Sequence, residues 1–137
     1  MTSDLDAAFQ TALAGKSCTV TLRAHDWEFA FGPANGIAVS VPWRLVDREA
    51  IALTDSDHDQ RFGLPQPINA ETRANELLNG AIVQRVQADA VTADLRIWFS
   101  NGIRLELFNN STGYEGWQAG LNSQTVVAMG GGGFSVF

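Results

Sequence analysis

The sequence predicts an α+β fold. Two antiparallel β-meanders form a sandwich or a partly open barrel, with an N-terminal helix and a short helix between the halves. Three observations lead there. Apolar residues recur at the helical period in only two stretches and alternate with polar residues elsewhere. Two strand pairs, one in each half, carry an Asn-Gly turn signal. A length of 137 residues, 45% hydrophobic and 18% charged, suits one globular domain with a sizeable core.

Leu5, Ala8, Phe9, Ala12 and Leu13 share one helical face, so residues 1–16 read as a helix. Thr2 or Ser3 can cap its start, Asp4 and Asp6 suit the positive end of its dipole, and Gly15 with Lys16 suits its finish. Residues 18–60 form the first meander. Cys18, Val20 and Leu22 alternate with Thr19, Thr21 and Arg23; Trp27, Phe29 and Phe31 with Glu28 and Ala30; Ile37, Val39 and Val41 with Ala38 and Ser40. Residues 32–36 supply a turn, with Gly36 expected at positive φ.

A short helix follows over 69–80. Asn69 is its N-cap, Ala74, Leu77, Leu78 and Ala81 share a face, and Gly80 ends it. The second meander covers 81–129. Ala81-Ile82-Val83 opens it, then Leu95, Ile97 and Phe99 alternate with Arg96 and Trp98. Ile103, Leu105 and Leu107 alternate with Arg104 and Glu106 beyond the Asn101-Gly102 turn, and Thr125–Met129 makes a further strand. Setting Asn35-Gly36 over Asn101-Gly102 aligns the hairpins as two copies of one meander. Their inward apolar residues are each worth roughly 1.5–3 kcal/mol on burial, enough for a core if the two layers face each other.

The tail, residues 130–137, joins four glycines to the alternating apolar end Phe134-Ser135-Val136-Phe137. Such an end folds back on its own sheet or adds a strand to a neighbour. Phe134, Val136 and Phe137 are the expected self-association residues of a homo-oligomer.

Nine Lys+Arg against fifteen Asp+Glu give a formal charge of −6, which argues against a nucleic-acid partner. No apolar run is long enough to span a membrane, and the acidic start is unlike a secretory signal, so the expected location is cytoplasmic. Cys18 is the lone cysteine, which excludes an internal disulfide, and on an alternating strand it reads as a small buried hydrophobe. Asp55, Asp57 and Asp59 resemble the opening of a calcium loop. However, Gln60 stands where glycine is needed and Gln66 where a bidentate acid is needed. His25 reads as a turn residue and His58 as a loop residue, so neither a metal nor a cofactor is expected. An enzyme using His58 with Asp55 or Asp57 is the least favoured reading.

Pro42-Trp43-Arg44-Leu45, Tyr114-Glu115-Gly116-Trp117 and the outward-facing Trp98 form aromatic clusters. They suit either second-layer packing under the helices or a partner surface, since Trp, Tyr and Arg dominate interface hot spots. Trp43, Arg44, Trp98, Tyr114, Glu115 and Trp117 are the expected contact residues.

The hairpin Leu95–Leu107 followed by Tyr-Glu-x-Trp at 114–117 resembles a family of small bacterial domains of unknown function. The strand Ile37–Val41 with Trp43-Arg44-Leu45, and the helix end Leu77–Gly80, also fit that layout, so the resemblance covers roughly residues 18–118. It implies protein contacts, with immunity to secreted toxins among them, and it offers no catalytic residues to carry over. The N-terminal helix and Gly-rich tail depart from the shared pattern. The expectation is therefore a non-enzymatic protein-interaction domain whose acidic surface steers a basic partner such as a toxin. The alternative is a barrel-like cup holding a small apolar ligand.

Overall fold

Helix α1 (Asp4–Leu13) forms where the apolar stripe predicts and buries Phe9, Ala12 and Leu13. The computed structural model describes residues 4–137, so the expected caps Thr2 and Ser3 lie outside the described residues. Gly15, at φ 77°, takes the left-handed conformation that lets the chain leave the helix. Helix α2 (Ala70–Leu78) starts at Asn69, whose Oδ1 accepts the Thr72 N–H at 3.0 Å.

Eleven strands build two antiparallel sheets packed as an α+β sandwich that does not close into a barrel. In the first half, β1 (Thr19–Leu22), β2 (Trp27–Ala30) and β3 (Asn35–Val39) are followed by β4 (Trp43–Asp47) and β5 (Ala50–Thr54). In the second, β6 (Val83–Ala88), β7 (Leu95–Phe99) and β8 (Ile103–Leu107) are followed by β9 (Trp117–Leu121), β10 (Gln124–Ala128) and β11 (Phe134–Val136). One sheet, here sheet A, has the order β1-β2-β3-β9-β10-β11; the other, sheet B, has β5-β4-β8-β7-β6.

Two meanders, β1-β2-β3 and β6-β7-β8, lie in opposite sheets as the sequence predicts, and the later strands of each half add an exchange. Each half lays three strands in one sheet and then crosses to the other, so β3 pairs with β9 and β4 with β8. Exchanging the halves maps the strand order onto itself, with β11 as the extra strand. The alignment of the two hairpins is corrected. Ala30 pairs with Gly36 as Trp98 pairs with Arg104, so Gly36 matches Arg104 and not Gly102. The Asn-Gly alignment slips by two residues, which leaves every side chain on its correct face. Gly32, at φ 81°, bends this turn instead of Gly36. Asn35 is buried, donating to the Ala12 carbonyl at 3.4 Å and accepting from Asn122 N at 2.7 Å.

The inward residues of both sheets, with Phe9, Leu13, Ala74 and Leu78 of the helices, form one continuous core. The helices also close two sheet edges. Gln10 of α1 accepts from Val86 N at 3.0 Å and donates to the Gln84 carbonyl at 2.8 Å, while Asp6 accepts from Ala88 N at 2.7 Å. Asn75 of α2 does the same to Val20 N and O, both at 2.8 Å, and Glu71 accepts from Leu22 N at 2.8 Å. Each helix thus offers a polar pair one turn apart to an edge strand of the other half. Among the described residues, no helix is long and apolar enough to cross a membrane.

Candidate interaction surface

The aromatic residues singled out in the sequence divide between core and surface. Trp43 and Trp117 open the matching strands β4 and β9, and both are buried, at 1% and 2% exposure. They are corrected from contact residues to core residues. The physical reason is the crossing between sheets. Each indole sits where the chain passes from one layer to the other and fills the space between them. Trp43 stands edge-on to Trp27 at 5.0 Å and to Phe29 at 5.3 Å. Trp117 stands edge-on to Phe9 at 5.8 Å, and its Nε1 donates to the Ala93 carbonyl at 2.8 Å. The Trp43 Nε1 is buried with no hydrogen-bond partner among the described residues. Two aromatic groups thus pack in the interior, Trp43 with Trp27 and Phe29, and Trp117 with Phe9.

Tyr114 and Glu115 lie exposed in the β8–β9 connection, Tyr114 at 83%. Gly116 between them and Trp117 must lack a side chain, because a Cβ there would collide with Asn109 and Val41. The tail folds back. β11 pairs with β10, and Phe134 packs 5.6 Å from Trp117, which removes Phe134 from the expected self-association set. Val136 and Phe137 remain exposed.

The residues weighed for catalysis or metal binding are engaged in local structure. His58 Nδ1 accepts the Ala70 N–H at 3.0 Å at the start of α2. Asp55 accepts from Trp43 N at 3.3 Å, and Asp57 from Thr54 N at 2.9 Å. Cys18 is buried, and that burial pushes its thiol up, away from the reactive thiolate. Among the described residues no group of three or more His, Cys, Asp or Glu could hold a metal ion.

Arg44 and Trp98 belong to a different arrangement. On the outer face of sheet B, two rows of side chains run across the strands. One row is Thr54, Arg44, Glu106, Arg96 and Gln87, from β5 to β6. The next is Ile51, Val46, Arg104, Trp98 and Arg85. Glu106 is the hub, only 3% exposed. Its Oε1 accepts from Arg44 Nε at 2.6 Å and its Oε2 from Arg104 Nε at 2.7 Å, while Arg96 Nε stands 3.4 Å away. Burial pushes the Glu106 carboxyl up, but the hydrogen bonds and charges of Arg44 and Arg104 outweigh it and hold it below the usual value. Arginine stems lie along the sheet. The Arg44 guanidinium sits 4.8 Å over the Phe108 ring and that of Arg85 sits 4.2 Å over Trp98.

Sequence reasoning found Arg44 and Trp98 but missed Arg85, Arg96, Arg104 and Glu106. All four stand at polar alternate positions of strands, and only the β4–β8 pairing brings Arg44 beside them. Comparison with known proteins returned nothing: no family model matches the chain, and no curated protein or solved structure matches it.

Proposed function

We propose that this chain is a non-catalytic protein-interaction domain whose contact surface is the outer face of sheet B. One observation carries the reading: a single buried carboxylate holds three guanidiniums side by side on an uncovered sheet face, next to Trp98 and the exposed Ile51. Arginine and tryptophan provide broad contact area with directional donors, and their orientation in advance lowers the entropy lost on binding. The helices cover sheet edges and leave this face open. The resemblance of residues 18–118 to small bacterial domains of unknown function, for which it implies protein contacts, supports the same reading.

Photo-crosslinking tests the reading. A photoreactive residue at Gln87 on this face should trap one protein in the native cell. The same residue at Thr21, the matching position on sheet A, should trap none. Adducts from Thr21 alone, or from neither position, would reject the assignment.

A further inference from the structure

We infer that the occupant of this face is an acidic protein segment, a step that rests on the interaction reading above. Four of the nine Lys and Arg residues, Arg44, Arg85, Arg96 and Arg104, stand on ten adjacent positions with one carboxylate among them. Those ten positions carry a net three positive charges, with Asp89 and Asp94 at their border beside Arg96, and the rest of the chain carries nine negative ones. Net charge suggests a basic partner, but the surface that is built for contact has the opposite sign.

The hydrogen bonds show what the guanidiniums still offer. Arg44 and Arg104 bind Glu106 through Nε, and Arg96 approaches it through Nε. Among the described residues no terminal nitrogen of these three donates a hydrogen bond. Glu106 thus fixes the arginines while leaving the paired terminal N–H groups for an incoming anion. Carboxylates match that fork geometry with two parallel hydrogen bonds.

The remaining features select among anionic partners. The face is a sheet about 19 Å across its five strands, and its hollow beside Arg96, about 310 Å³, is lined by Asp89 and Asp94, whose carboxylates repel a small anion. A nucleic acid is disfavoured by the nine negative charges elsewhere, which repel a long polyanion within about 10 Å of the surface. Trp98 also has Arg85 over its ring, where a base would need to stack. Ile51, 59% exposed, and the half-buried Trp98 stand in the row beside Arg44 and Arg96, so apolar side chains between the carboxylates find partners as well.

The test measures fluorescence anisotropy of a labelled peptide of alternating glutamate and serine with a central leucine pair. Labelled oligouridylate serves as a parallel probe and light scattering follows self-association. The expected result is peptide binding that weakens about tenfold on raising salt from about 50 to about 300 mM. Binding should weaken about tenfold or more in Arg85→Glu with Arg96→Glu, both outward-facing, whereas Gln118→Glu on sheet A leaves it unchanged. Circular dichroism melting confirms that each variant folds. Absence of peptide binding overturns the inference, as does tighter binding of oligouridylate. A dimer that these substitutions dissociate also overturns it, because the occupant is then a second copy. If Gln87 still crosslinks a protein while the peptide fails to bind, only the acidic class is lost; if the crosslink fails, the interaction reading goes with it.

Discussion

Where sheet B holds Glu106 between Arg44 and Arg96, sheet A holds Ala38 between Gln118 and Glu28 at the matching positions. Where sheet B has Val46, Arg104 and Trp98, sheet A has Gly120, Gly36 and Ala30. The inner faces agree closely: Phe29 matches Ile97, Ile37 matches Leu105, Val39 matches Leu107, and Trp43 matches Trp117. The two halves therefore share the positions that make a core and differ where a side chain meets solvent. Packing constrains the inside of both sheets in the same way. Nothing in packing requires four arginines on one outer face and small residues on the other, and that difference supports the outer face of sheet B as the proposed contact surface.

The two core indoles give the largest test of this comparison. Trp43→Ala and Trp117→Ala should each cost about 3–5 kcal/mol in urea unfolding, as expected for a large buried ring. Losses below about 1 kcal/mol would return these residues to the surface. The phenylalanine variants separate the two sites. Trp117→Phe leaves the Ala93 carbonyl without its donor, whereas Trp43→Phe removes an N–H that has no partner among the described residues. Trp117→Phe should be the costlier by about 1 kcal/mol, and equal costs would break the distinction.

A smaller effect is expected at the matched pair Glu106 and Ala38. Glu106→Ala leaves three guanidiniums crowded without their counter-charge and should cost roughly 1–2 kcal/mol, the arginines being partly solvated. Ala38→Ser should stay within about 0.5 kcal/mol. The pH dependence follows from the lowered Glu106 carboxyl. Its contribution is fully present above the unfolded carboxylate range, about 4.3, and is lost as pH falls through the depressed folded value. Denaturation midpoints from pH 6 downward should therefore fall less steeply in Glu106→Gln than in the native chain. Identical slopes would show that the carboxyl is not held low.

Much of the fold was legible because alternation is a local property. The strands β2, β3, β7 and β8, both helices and the whole expected inward set from Trp27 to Leu107 lie where the pattern places them. The strands β4 and β9 were hidden behind their own first residues. A tryptophan just after Pro42 or Gly116 reads like a displayed aromatic, and only the crossing between sheets turns it inward. The surface was half legible for a related reason. Alternation says that Arg96, Trp98, Arg104 and Glu106 point away from the core, but the partner that sets them beside Arg44 is a strand distant in sequence. Local periodicity carries no information about that choice.

The exchange of strands between halves also bears on how the chain can be cut. Residues 61–67, in the connection between β5 and α2, are all exposed. A nick there would separate two pieces that remain interlocked through β3–β9 in one layer and β4–β8 in the other. The molecule thus has the wiring of a two-component device, in which independently produced fragments could reassemble into one working unit.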